Sequence, residues 1–164
     1  MKVGIVMGSK SDLPVVKEAV DILKEFEIET ETRIISAHRT PVEAEAFSKG
    51  AKASGIEMII AAAGKAAHLA GVMAASTPLP VIGIPMKTSD LGGLDSLLST
   101  VQMPKGVPVA TVAIGGGKNA GLLAAQILSL RYPQIMEKIE GFKAKQAEDI
   151  RRQDVKLQEE LNSI

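Results

Sequence analysis

The chain has 164 residues, of which 46% are hydrophobic and 23% charged, a composition typical of one folded domain and not of a disordered chain. Its 19 basic and 19 acidic residues cancel, which disfavours binding of nucleic acid or of a membrane surface through bulk positive charge. Cysteine is absent, so disulfide bonds, thiol nucleophiles and cysteine-ligated metals are excluded. With only His38 and His68 as histidines, thirty residues apart, we expect no His-rich metal site. We also expect no cofactor.

Neither end of the sequence has the pattern of a targeting or membrane segment. The first residues lack a charged stretch followed by a long apolar one, and no window of about 18 apolar residues occurs. We therefore expect a cytoplasmic protein that has no signal peptide and binds neither nucleic acid nor a membrane.

Short β-branched segments alternate with longer helical segments along the chain. The alternating polar pattern of the second strand is typical of an edge strand. In chain order, the pattern predicts a strand at residues 2–7, a helix at 13–26, a strand at 28–35, a helix at 41–54, a strand at 57–63, a helix at 65–75, a strand at 80–85, a helix at 92–100, a strand at 107–114 and a helix at 118–131.

Five strand–helix units predict an α/β protein with a parallel sheet between two layers of helices, a three-layer α/β/α sandwich. Right-handed crossovers and an edge-like second strand favour the flavodoxin-like strand order 2-1-3-4-5. A TIM barrel is excluded because it needs eight units and about 250 residues. We assign residues 1–132 to this flavodoxin-like catalytic domain.

The segment 134–164 differs from the rest, because it carries 7 acidic and 6 basic residues while its apolar residues keep near-heptad spacing. A continuous helix of this length would measure roughly 45 Å, more than a small domain requires. We interpret residues 133–164 as a long C-terminal helical arm of the same domain that packs on another subunit. A helix folded back on its own sheet, or a solvated tail, is the alternative.

Ligands of open α/β sheets bind at the carboxyl ends of the strands, so the loops that follow the strands form the candidate site. The loop GSKSD (8–12) combines a flexible glycine, two hydroxyl groups and a helix start, which favour an anion, and Asp12 could hold sugar hydroxyls. The loop SAHRTP (36–41) places His38, suited to acid–base chemistry, beside Arg39, suited to a phosphate. An ordinary helix cap and plain surface are the alternatives for these two loops.

The later loops carry weaker signals. His68 follows the third strand at a helix start and is either functional or a histidine satisfied in the core or an interface. Residues 86–93 have the composition of a mobile glycine-containing lid. The glycines at 115–117 superficially fit a dinucleotide motif, but no further strand follows them, so we interpret them as a tight turn. Together the loops indicate a small phosphorylated sugar compound as the ligand.

Five motifs, in this order, resemble the PurE family and more narrowly its class I form, the N5-carboxyaminoimidazole ribonucleotide mutases: GSKSD (8–12), SAHRTP (36–41), AGKAAHLAG (63–71), GLDSLLSTVQMPKGVPVATVAI (93–114) and NAGLLAAQIL (119–128). The resemblance implies a flavodoxin-like homo-octamer with sites at subunit junctions. It also implies transfer, without ATP, of a carboxylate from the exocyclic nitrogen to C4 of a ribonucleotide's imidazole. The alternatives are direct carboxylation of aminoimidazole ribonucleotide by carbon dioxide and a nucleotide-binding module without catalysis.

The resemblance also implies roles for single residues. His38 matches the catalytic histidine, and His68 is a second catalytic candidate. Arg39 matches the phosphate-binding arginine, and Asp12 would hold the ribose hydroxyls. The other substrate-binding positions that it implies are Ser9, Ser11, Ser36, Gly64 and Ala66.

Two positions depart from the family pattern. Lys65 stands where a glycine is expected, and Ala70 stands where a proline is expected. Lys65 brings a cation near the expected carboxylate. We expect its side chain to point to solvent, and contact with the carboxylate is the alternative.

Overall fold

The computed structural model describes residues 1–163, which form five strands and six α-helices. A single turn of 3₁₀ helix at Lys10–Asp12 leads into the first α-helix. The elements are β1 (Lys2–Met7), α1 (Leu13–Glu25), β2 (Glu29–Ile34), α2 (Pro41–Gly50), β3 (Met58–Ala63), α3 (Leu69–Ser76), β4 (Val81–Pro85), α4 (Leu94–Val101), β5 (Ala110–Thr111), α5 (Gly117–Ser129) and α6 (Pro133–Asn162).

The strands form one parallel sheet in the order β2-β1-β3-β4-β5, which confirms the predicted flavodoxin-like fold. The central strands β1, β3 and β4 are almost entirely buried, as apolar strands covered by helices on both faces must be. The edge strand β2 has the sequence ETETRI and is mostly exposed, which agrees with its polar composition.

Several predicted boundaries were wrong, and each has a local cause. β5 pairs with β4 through only two residues, Ala110 and Thr111, instead of spanning 107–114. Pro108 has no amide hydrogen to donate to the sheet, which accounts for the late start of the strand. The helix predicted from residue 65 begins at Leu69, after a turn in which Lys65 has a positive φ of 56°. The helix predicted from residue 92 begins at Leu94, because Gly92 and Gly93 both have left-handed backbone conformations.

The remaining differences lie at helix ends, where local hydrogen bonds continue past the last regular residue. The helix predicted to residue 54 ends at Gly50, and a turn closed by the Ser54 amide on the Gly50 carbonyl (3.0 Å) follows it. The C-terminal helix ends at Asn162, and residue 164 of the predicted segment lies outside the described residues.

The chain divides into two compact units, Met1–Ala125 and Gln126–Ile164. The first contains the whole sheet, α1 to α4 and most of α5. The second contains α6, a helix of 30 residues that begins at Pro133, in the position where proline starts a helix without losing a hydrogen bond. None of the described helices is long and apolar enough to cross a membrane. The domain boundary after residue 132 and the packing of the arm on another subunit stay predictions.

Close contacts between elements of the first unit fix the positions of its helices. Gly83 in β4 faces α4 so closely that a Cβ there would lie 2.3 Å from Thr100 Cγ2. The hydroxyl of Ser48 in α2 donates to the carbonyl of Met73 in α3 at 2.8 Å. These contacts hold α4 directly against β4, and α2 against α3.

Candidate functional site

The loops that follow β1, β2, β3 and β4 surround a cavity of about 550 Å³, within the range usual for small-molecule sites. It lies at the carboxyl edge of the sheet, where the topology predicts a ligand. All nine site residues predicted from the sequence line this cavity: Ser9, Ser11, Asp12, Ser36, His38, Arg39, Gly64, Ala66 and His68. The structure therefore brings the predicted positions together, while the role of each remains a prediction.

The first loop presents two hydroxyl groups at the start of α1. Ser9 has an extended backbone and caps the short turn that follows, accepting a hydrogen bond from the Ser11 amide at 3.3 Å. The Ser11 hydroxyl lies 2.9 Å from Ser9 Oγ and 3.3 Å from Asp12 Oδ1. Since this hydroxyl has one hydrogen, it donates to only one of these two oxygens at a time. The oxygen that does not receive this hydrogen bond can accept one from a ligand.

Asp12 is the most unusual charged group of the site. The residue is 8% exposed, and no basic side chain forms an ion pair with it within residues 1–163. Burial raises the pKa of the Asp12 carboxyl above its ordinary value of 3.8, and hydrogen bonds from Ser11 and at the Ser9 backbone oppose that rise only partly. A carboxylate held in this way gains by accepting hydrogen bonds from ligand hydroxyls.

The second loop is closed on itself before α2 begins. The Ser36 amide donates to Thr40 Oγ1 at 2.9 Å, and the Thr40 amide donates to the Ser36 carbonyl at 2.9 Å. The Arg39 guanidinium donates from one terminal nitrogen to the Gly8 carbonyl at 2.9 Å, and its Nε lies 3.4 Å from Ser36 Oγ. These contacts fix the plane of the guanidinium and leave donors for an anion, since arginine has five N–H groups.

His38 and His68 form a direct hydrogen bond. His38 Nε2 lies 2.8 Å from His68 Nδ1, and the two rings are nearly perpendicular, at 81°. One ring must donate the proton and the other must accept it, so each histidine sets the tautomer of the other. The sequence predicted both residues but not their contact, which arises because β2 and β3 lie on either side of β1.

Lys65 and the loop after β4 complete the cavity wall. Lys65 is 71% exposed, as expected, and its Nζ lies 3.0 Å from Asp90 Oδ2. The sequence did not predict this ion pair. Other lining residues outside the predicted set come from the segment 86–93, which composition marked as a lid: Met86, Lys87, Thr88 and Ser89.

The second departure from the family pattern and the last glycine motif have structural explanations. Ala70 is buried in the first turn of α3, where it fits against the glycine of β4, its Cβ being 3.3 Å from the place of a Cβ on Gly83. The glycines at 115–117 form a tight turn, as predicted, and a Cβ on Gly117 would lie 1.9 Å from the Val15 carbonyl oxygen. Within residues 1–163 no three His, Asp or Glu side chains converge as metal ligands would.

The motifs and the fold both agree with known proteins. The model of a family described as AIR carboxylase matches residues 2–149. The chain belongs to the AIR carboxylase family.

Relatives within this family cover nearly the whole chain. The N5-carboxyaminoimidazole ribonucleotide mutase of Pyrococcus abyssi is 58% identical over 92% of this chain and 84% of its own. The mutase of the same name from Thermotoga maritima is 55% identical over 96% of this chain and 92% of its own. The crystal structure of Treponema denticola PurE matches with a TM-score of 0.87 and 32% identity over 95% of this chain and 98% of its own. These matches confirm the resemblance to PurE.

Proposed function

We propose that the chain is an isomerase of de novo purine biosynthesis that converts N5-carboxyaminoimidazole ribonucleotide to 4-carboxy-5-aminoimidazole ribonucleotide without ATP. The observation that carries the proposal is the hydrogen-bonded pair of His38 and His68 in a cavity that Arg39 and Asp12 also line. The names of the curated relatives at 55–58% identity support the identity of the substrate.

The polar groups of the cavity match the parts of a ribonucleotide. The Arg39 guanidinium, held by Gly8, is placed to bind the phosphate, with the hydroxyls of Ser9, Ser11 and Ser36 as further donors. The buried carboxylate of Asp12 accepts hydrogen bonds from the ribose hydroxyls. Gly64 has no side chain and Ala66 has only a methyl group, so their backbone can approach the imidazole and the migrating carboxylate.

The chemistry needs one group that gives a proton and then takes one back. Protonated His38 donates a proton to the exocyclic nitrogen as the bond from that nitrogen to the carboxylate carbon breaks and carbon dioxide forms. C4 of the imidazole then attacks carbon dioxide, and His38 removes the C4 proton, so that protons and carboxylate balance. Imidazole suits both steps, because its ordinary pKa lies near neutral pH.

His68 acts as a positioning residue for His38. Its Nδ1 contacts His38 Nε2, so it determines which nitrogen of His38 carries the proton. The segment 86–93 acts as the lid that keeps carbon dioxide in the cavity between the two steps. Its residues Met86 to Ser89 already line the cavity wall.

Assembly and location belong to the same proposal. We infer a homo-octamer with sites at subunit junctions, and the apolar side chains along one face of α4 and in the turn before it support a subunit contact. These side chains are exposed and recur at helical spacing: Leu91, Leu94, Leu98 and Val101. A cytoplasmic location follows from the substrate, because a phosphorylated ribonucleotide carries charge and must be used where it is made. Light scattering of the purified protein tests the octamer.

The substrate assay distinguishes the mutase from its alternatives. Purified protein is given N5-carboxyaminoimidazole ribonucleotide in one reaction, and aminoimidazole ribonucleotide with bicarbonate in another, both without ATP. Efficient formation of the C4-carboxylated product from the first substrate supports the mutase. Efficient turnover of the second alone identifies a direct carboxylase. Binding without turnover of either identifies a nucleotide-binding module.

A further inference from the structure

Lys65 occupies a backbone position that suits glycine better than lysine. Its φ is 56°, in the left-handed region that side chains with a Cβ rarely adopt. The neighbouring residues Gly64 and Ala66 line the cavity, as Lys65 does. The unfavourable backbone conformation directs attention to the contacts that the Lys65 side chain makes at the cavity wall.

The Lys65 side chain joins two loops of the site. Its Nζ lies 3.0 Å from Asp90 Oδ2, and Asp90 belongs to the lid segment 86–93. Asp95, at the start of α4, adds a second negative charge that acts on the same ammonium group. The contact therefore links the lid to the β3–α3 loop, which also carries His68.

A contact network lies near the start of the lid, and a hinge lies at its end. Near its start, Thr88 Oγ1 donates to Asp95 Oδ1 at 2.7 Å and accepts from the Gly93 amide at 3.1 Å. At its end, Gly92 and Gly93 have φ values of 66° and 104° and provide a hinge. Between these ends, the Lys65–Asp90 ion pair is the polar contact that ties the lid to the opposite loop within residues 1–163.

We propose that Lys65 is a positioning residue that acts through Asp90, and that their ion pair is a latch holding the lid over the cavity. The identity of the trapped substrate rests on the proposed function. The latch is inferred only from the ion pair between the two loops. Both side chains are largely exposed, at 71% and 62%, so the latch is weak and quickly reversible. Breaking it shifts the balance between closed and open lid by about two- to fivefold.

The test compares variants that break, keep or reverse the pair. Lys65→Ala and Asp90→Ala break it, Lys65→Arg keeps it, and Lys65→Asp combined with Asp90→Lys reverses it. The matched control is Lys49→Ala, which removes the exposed ion pair with Glu45 on α2, outside the cavity lining. Hydrogen exchange of the amides at 89–93 and the kcat and KM of the full-length enzyme are measured for each.

We expect each breaking variant to speed exchange at 89–93 and to raise KM by about two- to fivefold, with a smaller change in kcat. The double variant Lys65→Ala with Asp90→Ala changes exchange and KM no more than either single variant does. The reversed pair and Lys65→Arg have wild-type exchange and KM. In 1 M salt the wild type approaches the broken variants, because salt screens exposed charges.

Unchanged exchange and KM in both breaking variants, or additive effects in the double variant, overturn the latch. So does an equal effect of Lys49→Ala. Failure of the proposed function has a different signature, since the wild type would then convert neither substrate while the exchange measurement still reports on the latch.

Discussion

Replacing Asp12 by asparagine should raise the stability of the ligand-free protein and lower its affinity for the substrate. Asp12 as a residue is 8% exposed and has no cationic partner within residues 1–163, and burial raises the pKa of its carboxyl above the ordinary 3.8. The ionised form is therefore less favourable in the folded chain than in the unfolded chain. Asparagine has nearly the same shape without the charge, so Asp12→Asn should stabilise the ligand-free protein.

Two opposing effects set the size of the change in the free energy of unfolding: the burial of the charge and its position at a helix start. Asp12 precedes α1, and a negative charge at a helix start is favourable by about 0.3–1 kcal/mol. Burial is the largest cause of the raised pKa of the Asp12 carboxyl, and we expect it to outweigh this gain. We expect Asp12→Asn to raise the free energy of unfolding by about 0.5–2 kcal/mol at pH 7, the range usual when a functional residue is relieved of such a conflict.

The same substitution should weaken substrate binding. A hydrogen bond from a ribose hydroxyl to a carboxylate contributes about 1.5–3 kcal/mol, which corresponds to a loss of affinity of about 10- to 100-fold. Isothermal titration with the substrate or its product measures this loss. Urea unfolding of the ligand-free protein, at one fixed protein concentration because oligomers unfold in a concentration-dependent way, measures the gain in stability.

The pH dependence gives a further check. The folded chain holds the Asp12 proton more tightly than the unfolded chain, so this carboxyl's contribution to stability is greatest below its unfolded pKa and is lost as pH rises through its folded pKa. The stabilising effect of Asp12→Asn is therefore full at pH 7 and shrinks toward about pH 4. Asp21→Asn on the exposed face of α1 is the control and should change stability by less than about 0.5 kcal/mol. A less stable Asp12→Asn protein, or unchanged affinity, would refute the reasoning.

Three further substitutions test other parts of the account. His38→Asn should lower kcat by about 10²–10⁴-fold and leave the melting temperature nearly unchanged, which a steady-state assay and a thermal melt would show. Arg39→Lys should raise KM about tenfold, because lysine cannot contact a backbone carbonyl and a phosphate with one planar group, and kinetics with a substrate lacking the phosphate should show no such difference. Gly83→Ala should cost about 1–3 kcal/mol of stability by urea unfolding, since its Cβ would lie 2.3 Å from Thr100 Cγ2, whereas Gly50→Ala, with no atom within 4 Å, should not destabilise.

Much of the fold was predictable because the physical signals were local. Apolar strands buried on both faces, a polar edge strand and alternating helices were enough to predict the order of the sheet. The extent of β5 was not, because the β-branched residues at 107–114 favour a strand while pairing is limited to Ala110–Thr111, with Pro108 preventing an earlier start.

The residues of the site were predictable for a related reason, since parallel strands bring their following loops to one edge. The contacts between those loops were not. The hydrogen bond between His38 and His68 and the ion pair between Lys65 and Asp90 each join side chains from separate loops. Their distances depend on the conformations of turns, such as the left-handed Lys65, that no periodic pattern records.

The central claim is that the carboxylate moves within the closed cavity, from nitrogen to C4, without exchange with solvent. The most direct measurement gives the enzyme unlabelled N5-carboxyaminoimidazole ribonucleotide in buffer containing ¹³C-bicarbonate and determines the label in the C4-carboxylated product by mass spectrometry. The account predicts product that remains essentially unlabelled at early conversion, and no product with the His38→Asn protein. Product labelled to the extent of the surrounding bicarbonate would contradict it and identify carbon dioxide from solution as the true co-substrate.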